Sequence, residues 1–279
     1  MLPKLFKNFA SFLLYSNIFI AISAVAMSLE TLVLIGASSS FWFLQGEVFA
    51  ATLCIYAMHR LVSLERLREE LVNERFRTIR ALKRLIWVVL TFSIILGVVL
   101  FWWLKFNTQL ALVLPAILSL GYVLPFWKNK RLRDFHFLKI FLIAGVWAYV
   151  TVLLPSLEAD QPIDLVLFLR FSERALFIFA ITLPFDIRDW EIEKANGVQT
   201  IPSLIGVPAT VYLALGCLLL WVAACWWLYT PITAGLLTVV ALLTAALVWG
   251  SRRPQPDYYF TGLLDGTMLL QGLMVVVSL

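Results

Sequence analysis

The sequence predicts an all-α fold: a multi-pass bundle of about nine membrane-spanning helices around a central cavity. Three observations predict it. Of the 279 residues, 62% are hydrophobic and only 14% are charged, whereas a water-soluble domain runs closer to half and a quarter. The apolar residues fall into runs of roughly 20, the length of helix that crosses a hydrocarbon core. The chain also carries 11 Trp and 21 Phe, side chains that anchor helices at the membrane interface and line apolar cavities.

The first apolar run, about Phe9 to Leu29, follows Lys4 and Lys7 and contains Ala24-Val25-Ala26, like a secretory leader. Asn17 interrupts it and further spans follow, so it reads as a retained span. Thr31 to Phe43 is apolar but short, and reads as an interfacial or re-entrant piece. The next spans run from Val48 to Leu64, Leu85 to Leu104 and Thr108 to Trp127. Five more cover Phe137 to Leu157, Leu165 to Phe185, Val207 to Tyr229, Pro231 to Gly250 and Tyr258 to Leu279. No low-complexity tract or Gly/Ser linker divides the chain, so residues 1–279 are expected to form one domain.

Charge placement sets the expected orientation, because Lys and Arg in short loops mark the cytoplasmic side. They gather between Arg60 and Arg84, between Lys128 and Lys139 (with Arg131 and Arg133), at Arg188 and Lys194, and at Arg252 and Arg253. Alternate loops carry Glu30, Glu47, Glu158 and Asp160; Arg170 and Arg174 are misfits near the outer start of the sixth span. The N-terminus and the polar loops are therefore expected to be cytoplasmic, in a bacterial cytoplasmic membrane with lipid around the bundle. Nucleic acid is not an expected partner. Cys54, Cys217 and Cys225 all lie in apolar runs and read as small buried hydrophobes. Two histidines exclude a His-built metal cage.

The stretch from Phe185 to Gly206 carries the chemistry. It reads FDIRDWEIEKANGVQTIPSLIG and places Asp186, Asp189 and Glu193 at i, i+3 and i+7, on one helical face. Three clustered acids repel one another unless a cation sits among them, and hard oxygen ligands suit Mg²⁺. The alternative is a solvated helix end without a function.

The pattern DxxDxxxE followed by Lys194, Asn196, Gly197 and Thr200 resembles the second aspartate-rich motif of the UbiA superfamily of intramembrane prenyltransferases. GYVLPFWKNKR, from Gly121 to Arg131, is similar to that family's Tyr/Lys motif, with Tyr122 and Lys128 in the matching places. The resemblance implies a UbiA-like bundle and transfer of a prenyl group from an isoprenyl diphosphate to a hydrophobic or aromatic acceptor. It also implies Mg²⁺ on Asp186, Asp189 and Glu193. Lys128, Tyr122, Arg188 and Lys194 are the expected diphosphate contacts, and an aromatic-lined cavity is expected to hold the tail.

The family's first motif, roughly NDxxDxxxD after the second span, is altered. Arg60 and Ser63 stand in its aspartate positions, in Tyr56-Ala-Met-His-Arg60-Leu-Val-Ser63. Tyr56, Arg60 and Ser63 share a helical face. Either Arg60 clamps the diphosphate directly, which its planar fork suits, or the transfer activity is lost or changed. Three readings therefore remain open: prenyl transfer, an intramembrane terpene cyclase or synthase using the same ionisation, and a non-catalytic lipid-binding or transport protein. Asp265 sits inside the last span and is expected either to pair with Arg60 or His59 or to shape the acceptor site. Asn17 is expected to touch substrate or to bond a neighbouring helix. Arg131 and Arg133 read as loop charges alone.

Overall fold

A computed structural model of the protein describes residues 12–37, 41–66, 74–126 and 130–278. The helices are α1 (Ile18–Leu34), α2 (Trp42–Arg66), α3 (Glu74–Ala81), α4 (Lys83–Phe101) and α5 (Phe106–Val123). They continue as α6 (Leu138–Glu158), α7 (Leu165–Ala195), α8 (Ile201–Leu228), α9 (Pro231–Gly250) and α10 (Tyr259–Val277). Every expected span has its helix, and α3 is the addition.

By length and composition, 7 of these helices can cross a membrane. The chain is an integral multi-pass membrane protein. Two further long helices accompany them: α1 is apolar over 17 residues, and α7 runs for 31 residues but carries buried Glu173 and Arg174.

Local chemistry sets the ends. Asp164 Oδ1 accepts from Leu167 N at 2.8 Å and starts α7. Thr230 caps α9, whose first residue is Pro231. Gly206 adopts φ 80°, which a residue with a Cβ rarely takes, and breaks the first turn of α8 from the rest. The first span differs from expectation. Residues 12–15 are helical, Asn17 stands in the left-handed region at φ 66° and breaks the span, and α1 follows from Ile18, while Phe9 lies outside the described residues; Asn tolerates that conformation better than most residues. The sixth span also runs on, through Pro184 to Ala195. That extension lifts the acidic motif out of the apolar run.

The main core joins α1 and α6 to α10 through residues such as Met27, Phe177, Trp221, Leu237 and Leu264. A second cluster of Ala57, Leu61, Phe76, Ile79, Ile86 and Leu90 packs α3 onto α2 and α4. Helices α1 and α10 approach closely at Gly272, where a Cβ would lie 2.5 Å from the carbonyl oxygen of Ala26. Neither backbone can yield cheaply. Gly272→Ala is therefore expected to cost about 1–3 kcal/mol, read as a lower unfolding midpoint in detergent; an unchanged midpoint would show that the helices slide apart freely.

A polar network is buried among α1, α6, α7, α8 and α10. Arg174, 1% exposed, donates to Glu30 Oε1 at 2.8 Å and to the Met27 carbonyl at 2.9 Å. Gln271 Nε2 donates to the same Glu30 oxygen at 3.0 Å. Glu173 accepts from Trp221 Nε1 and from the Tyr229 hydroxyl. Glu30, expected in a loop, is fully buried. Charges inside a membrane bundle persist only when paired in this way.

Candidate active site

A cavity of about 670 Å³ lies between α1, α2, α5, α6 and the inner face of α7. One end is charged. Arg60, Arg66, Arg131, Arg133, Lys139 and Arg188 line it together with Asp189, Glu193 and Asp265. The remainder is largely apolar and aromatic, including Phe19, Tyr56, Trp147 and Phe185.

The extended end of α7 delivers the acids. Glu193, 3% exposed, accepts from Arg133 at 2.7 Å and from Lys139 at 3.0 Å. Lys139 Nζ also stands 2.8 Å from Asp186 Oδ1. Asp189 is held by the neighbouring Arg188, whose Nε and Nη2 donate to its two oxygens at 2.8 and 3.0 Å. Arg188 also donates to Asp257 Oδ1 at 3.0 Å, and Tyr15 donates to the other Asp257 oxygen. The Arg188 guanidinium lies 5.0 Å from the ring centres of both Phe185 and Phe260. Lys139 enters α6 just after Phe137, a bulky residue held at φ 60°. A strained turn of that kind persists only where its surroundings hold it.

Arg60 is fixed from the segment just before α1. Its Nε donates to Asn17 Oδ1 at 2.5 Å and its Nη2 to the Leu14 carbonyl at 2.9 Å. The unusual backbone of Asn17 thus aims its amide at the altered motif. Among the described residues, Asn17 Nδ2 and Arg133 Nε are buried donors without hydrogen-bond partners, and both residues line the cavity. Tyr122 places its ring 5.4 Å from the Arg133 guanidinium, and Arg133 also contacts His59. In the adjoining loop, burial alone would raise the Asp134 carboxyl. The Arg131 side chain and N–H hold it below the usual aspartate range instead.

The expected residues separate into three groups. Asn17, Tyr56, Arg60, Tyr122, Arg188, Asp189, Glu193 and Asp265 all line the cavity. Two expected residues lie off the cavity wall: Asp186 is buried beside Lys139, and Lys194 is exposed. Asp265 makes no ion pair with Arg60 or His59 among the described residues, because Asn17 and Leu14 take the first and Arg133 the second. Lys128 lies outside the described residues. The sequence reading missed Arg133, Lys139 and Asp257. Arg133 read as a loop charge, yet its partners Glu193 and His59 lie 60 and 74 positions away, and no spacing rule connects them.

Among the described residues, no three acidic, histidine or cysteine side chains form a ready-made metal cage. Mg²⁺ does not need one: it binds through one or two carboxylates plus substrate phosphates and keeps several waters. Asp189 and Glu193 on the cavity wall offer that donor set. Behind them, Asp186 Oδ1 accepts no aligned hydrogen bond despite the nearby ammonium. These residues fit one Mg²⁺. The face of Arg60 and Ser63 offers no carboxylate for a second.

Fold and site define a helical membrane protein whose cavity is apolar over most of its lining and cationic with a few acids at one end. The same fold occurs in solved UbiA structures. A UbiA homologue from Aeropyrum pernix K1 in its apo form aligns with TM-score 0.68 at 15% identity, over 94% of this chain and 97% of that one. A UbiA homologue from Archaeoglobus fulgidus bound to GPP and Mg²⁺ aligns with TM-score 0.60 at 12% identity, over 95% and 99%. A structure of digeranylgeranylglyceryl phosphate synthase aligns with TM-score 0.58 at 14% identity, over 98% of each chain. Compared by sequence, the chain matches no family model and no curated protein.

Proposed function

We propose that this chain is a member of the UbiA superfamily that transfers a prenyl group from an isoprenyl diphosphate to a hydrophobic or aromatic acceptor within the membrane, with Mg²⁺ as cofactor. The observation that carries it is the polarity of the cavity: a cluster of guanidinium and ammonium groups with three carboxyl groups at one end, and an apolar, aromatic lining beyond. A diphosphate ester with a hydrocarbon tail has the same division. The family resemblance of the Asp186–Thr200 and Tyr122–Lys128 motifs and the likeness to UbiA homologues, one of them bound to GPP and Mg²⁺, support the same reading.

Arg60, Arg133 and Arg188 bind the diphosphate oxygens by charge-assisted hydrogen bonds, and the unpartnered Asn17 Nδ2 adds a neutral donor. Asp189 and Glu193 hold Mg²⁺, which when bound neutralises charge on the departing diphosphate. The allylic C1–O bond breaks with its electron pair leaving on the diphosphate. The ring faces of Tyr56, Tyr122 and Phe185 stabilise the cation, and the apolar wall excludes water that would otherwise capture it. The acceptor then forms the new bond at C1 and loses a proton. The N-terminus and the charged end of the cavity face the cytoplasm in this reading.

The test is diphosphate release by purified protein in nanodiscs from allylic diphosphates of several lengths, with Mg²⁺ or EDTA. Release is expected to require Mg²⁺ and to fall about 100-fold or more in Asp189→Ala, as when a transition-state charge stabiliser is removed. Product analysis without acceptor separates transfer from cyclisation. Neither release nor thermal stabilisation by any of these diphosphates would leave the scaffold with a different ligand.

A further inference from the structure

The cavity has a second polar position, for which the reaction has no use. Glu47 of α2 lines the cavity, is 8% exposed, and its Oε2 accepts no hydrogen bond. On α4, Gly97 leaves room beside it: a Cβ there would sit 3.7 Å from Oε2. Glu47 lies one turn from Leu44 and next to Val48, two members of an apolar cluster with Ala24, Leu104 and Leu154, and all of these but Leu104 line the cavity. Among the described residues this carboxyl group has no cation or donor, and it stands among apolar lining residues. Along α2 it lies about 20 Å from Arg60, 13 residues at the helical rise.

We infer that Glu47 sets the upper limit on the length of the isoprenyl tail, a reading that rests on the diphosphate binding proposed above. An extended isoprene repeat spans on the order of 5 Å, since its four backbone bonds are each about 1.5 Å long. With the diphosphate at Arg60, Arg133 and Arg188, a tail of three units stops short of Glu47. The fourth unit reaches the carboxyl, covers the part of it still exposed and offers no donor in return. A polar group buried in that way is penalised. The substrate class is therefore a short isoprenyl diphosphate, with discrimination beginning at the fourth unit.

The experiment uses full-length protein in nanodiscs and isoprenyl thiodiphosphates of two to five units, whose C1–S bond resists ionisation. Affinity is measured by displacement of the labelled two-unit compound in wild type, E47L and E47Q. Each ligand is compared across variants, so its partition into lipid cancels. Wild type is expected to bind the three-unit compound about tenfold better than the four-unit one, the low end of the effect of an unpaired buried polar group. E47L is expected to abolish that fall and E47Q to reduce it; the glutamine keeps the packing and carries the test if the leucine variant does not fold. Length profiles unchanged from wild type in the folded variants would overturn the inference alone. Failure of wild type to bind any thiodiphosphate would overturn it together with the diphosphate reading.

Discussion

Replacing Lys139 with methionine is expected to destabilise the protein by about 3–5 kcal/mol, the cost of leaving buried charges without their partner. The Lys139 side chain is 8% exposed and holds Asp186 Oδ1 at 2.8 Å and Glu193 Oε1 at 3.0 Å. Methionine fills most of the volume and supplies no charge. Glu193 then keeps Arg133, but Asp186 keeps no cation within ion-pair distance among the described residues. Unfolding in detergent reads the loss directly. A second substitution tells electrostatics from packing: Asp186→Asn in the Lys139→Met background is expected to recover part of the stability, because it removes the charge that has lost its partner. A midpoint that barely moves in Lys139→Met would mean that water reaches these acids.

The second large effect is expected at Arg174→Leu, again about 3–5 kcal/mol. Arg174 bridges to Glu30 at 2.8 Å, with Glu173 beside it in the chain, and both carboxylates are almost fully buried. Without the guanidinium, two acids remain in the bundle interior with hydrogen bonds, among the described residues, from Gln271, Trp221, Tyr229 and the weak donor Cys225 Sγ. Adding Glu30→Gln should restore much of the loss, a coupling that a double-mutant cycle measures. None of these residues lines the cavity. Diphosphate binding by the protein that remains folded should therefore be unchanged, and a parallel loss of binding would show that the network shapes the site.

The helices were legible because a run of about 20 apolar residues has few alternatives in a chain this hydrophobic. Their ends were less so. The sixth apolar run ends at Phe185, yet α7 continues through Pro184 and on to Ala195, since packed neighbours can support a helix that propensity alone would end. The acids were legible as a set, but their separate fates were not. Asp186, Asp189 and Glu193 fall within about 60° on a helical wheel, and that arc borders both the cavity and Lys139 of α6. Arg133 and Lys139 were hidden for a different reason: a charge that orients a membrane protein and a charge that binds substrate are the same residue in the same loop. Glu47 read as an outer-loop acid because its alternation with the basic loops was the stronger pattern.

The pairing of Asp189 with Arg188, and of Glu193 with Arg133 and Lys139, bears on turnover as well as on binding. In the proposed reaction, a diphosphate entering the cavity would compete with carboxylates already seated on the groups it needs. On its departure those carboxylates would return to their places. The protein would thus supply its own exchangeable counter-ions, and a leaving group held among so many fixed cations would be released by substitution from within.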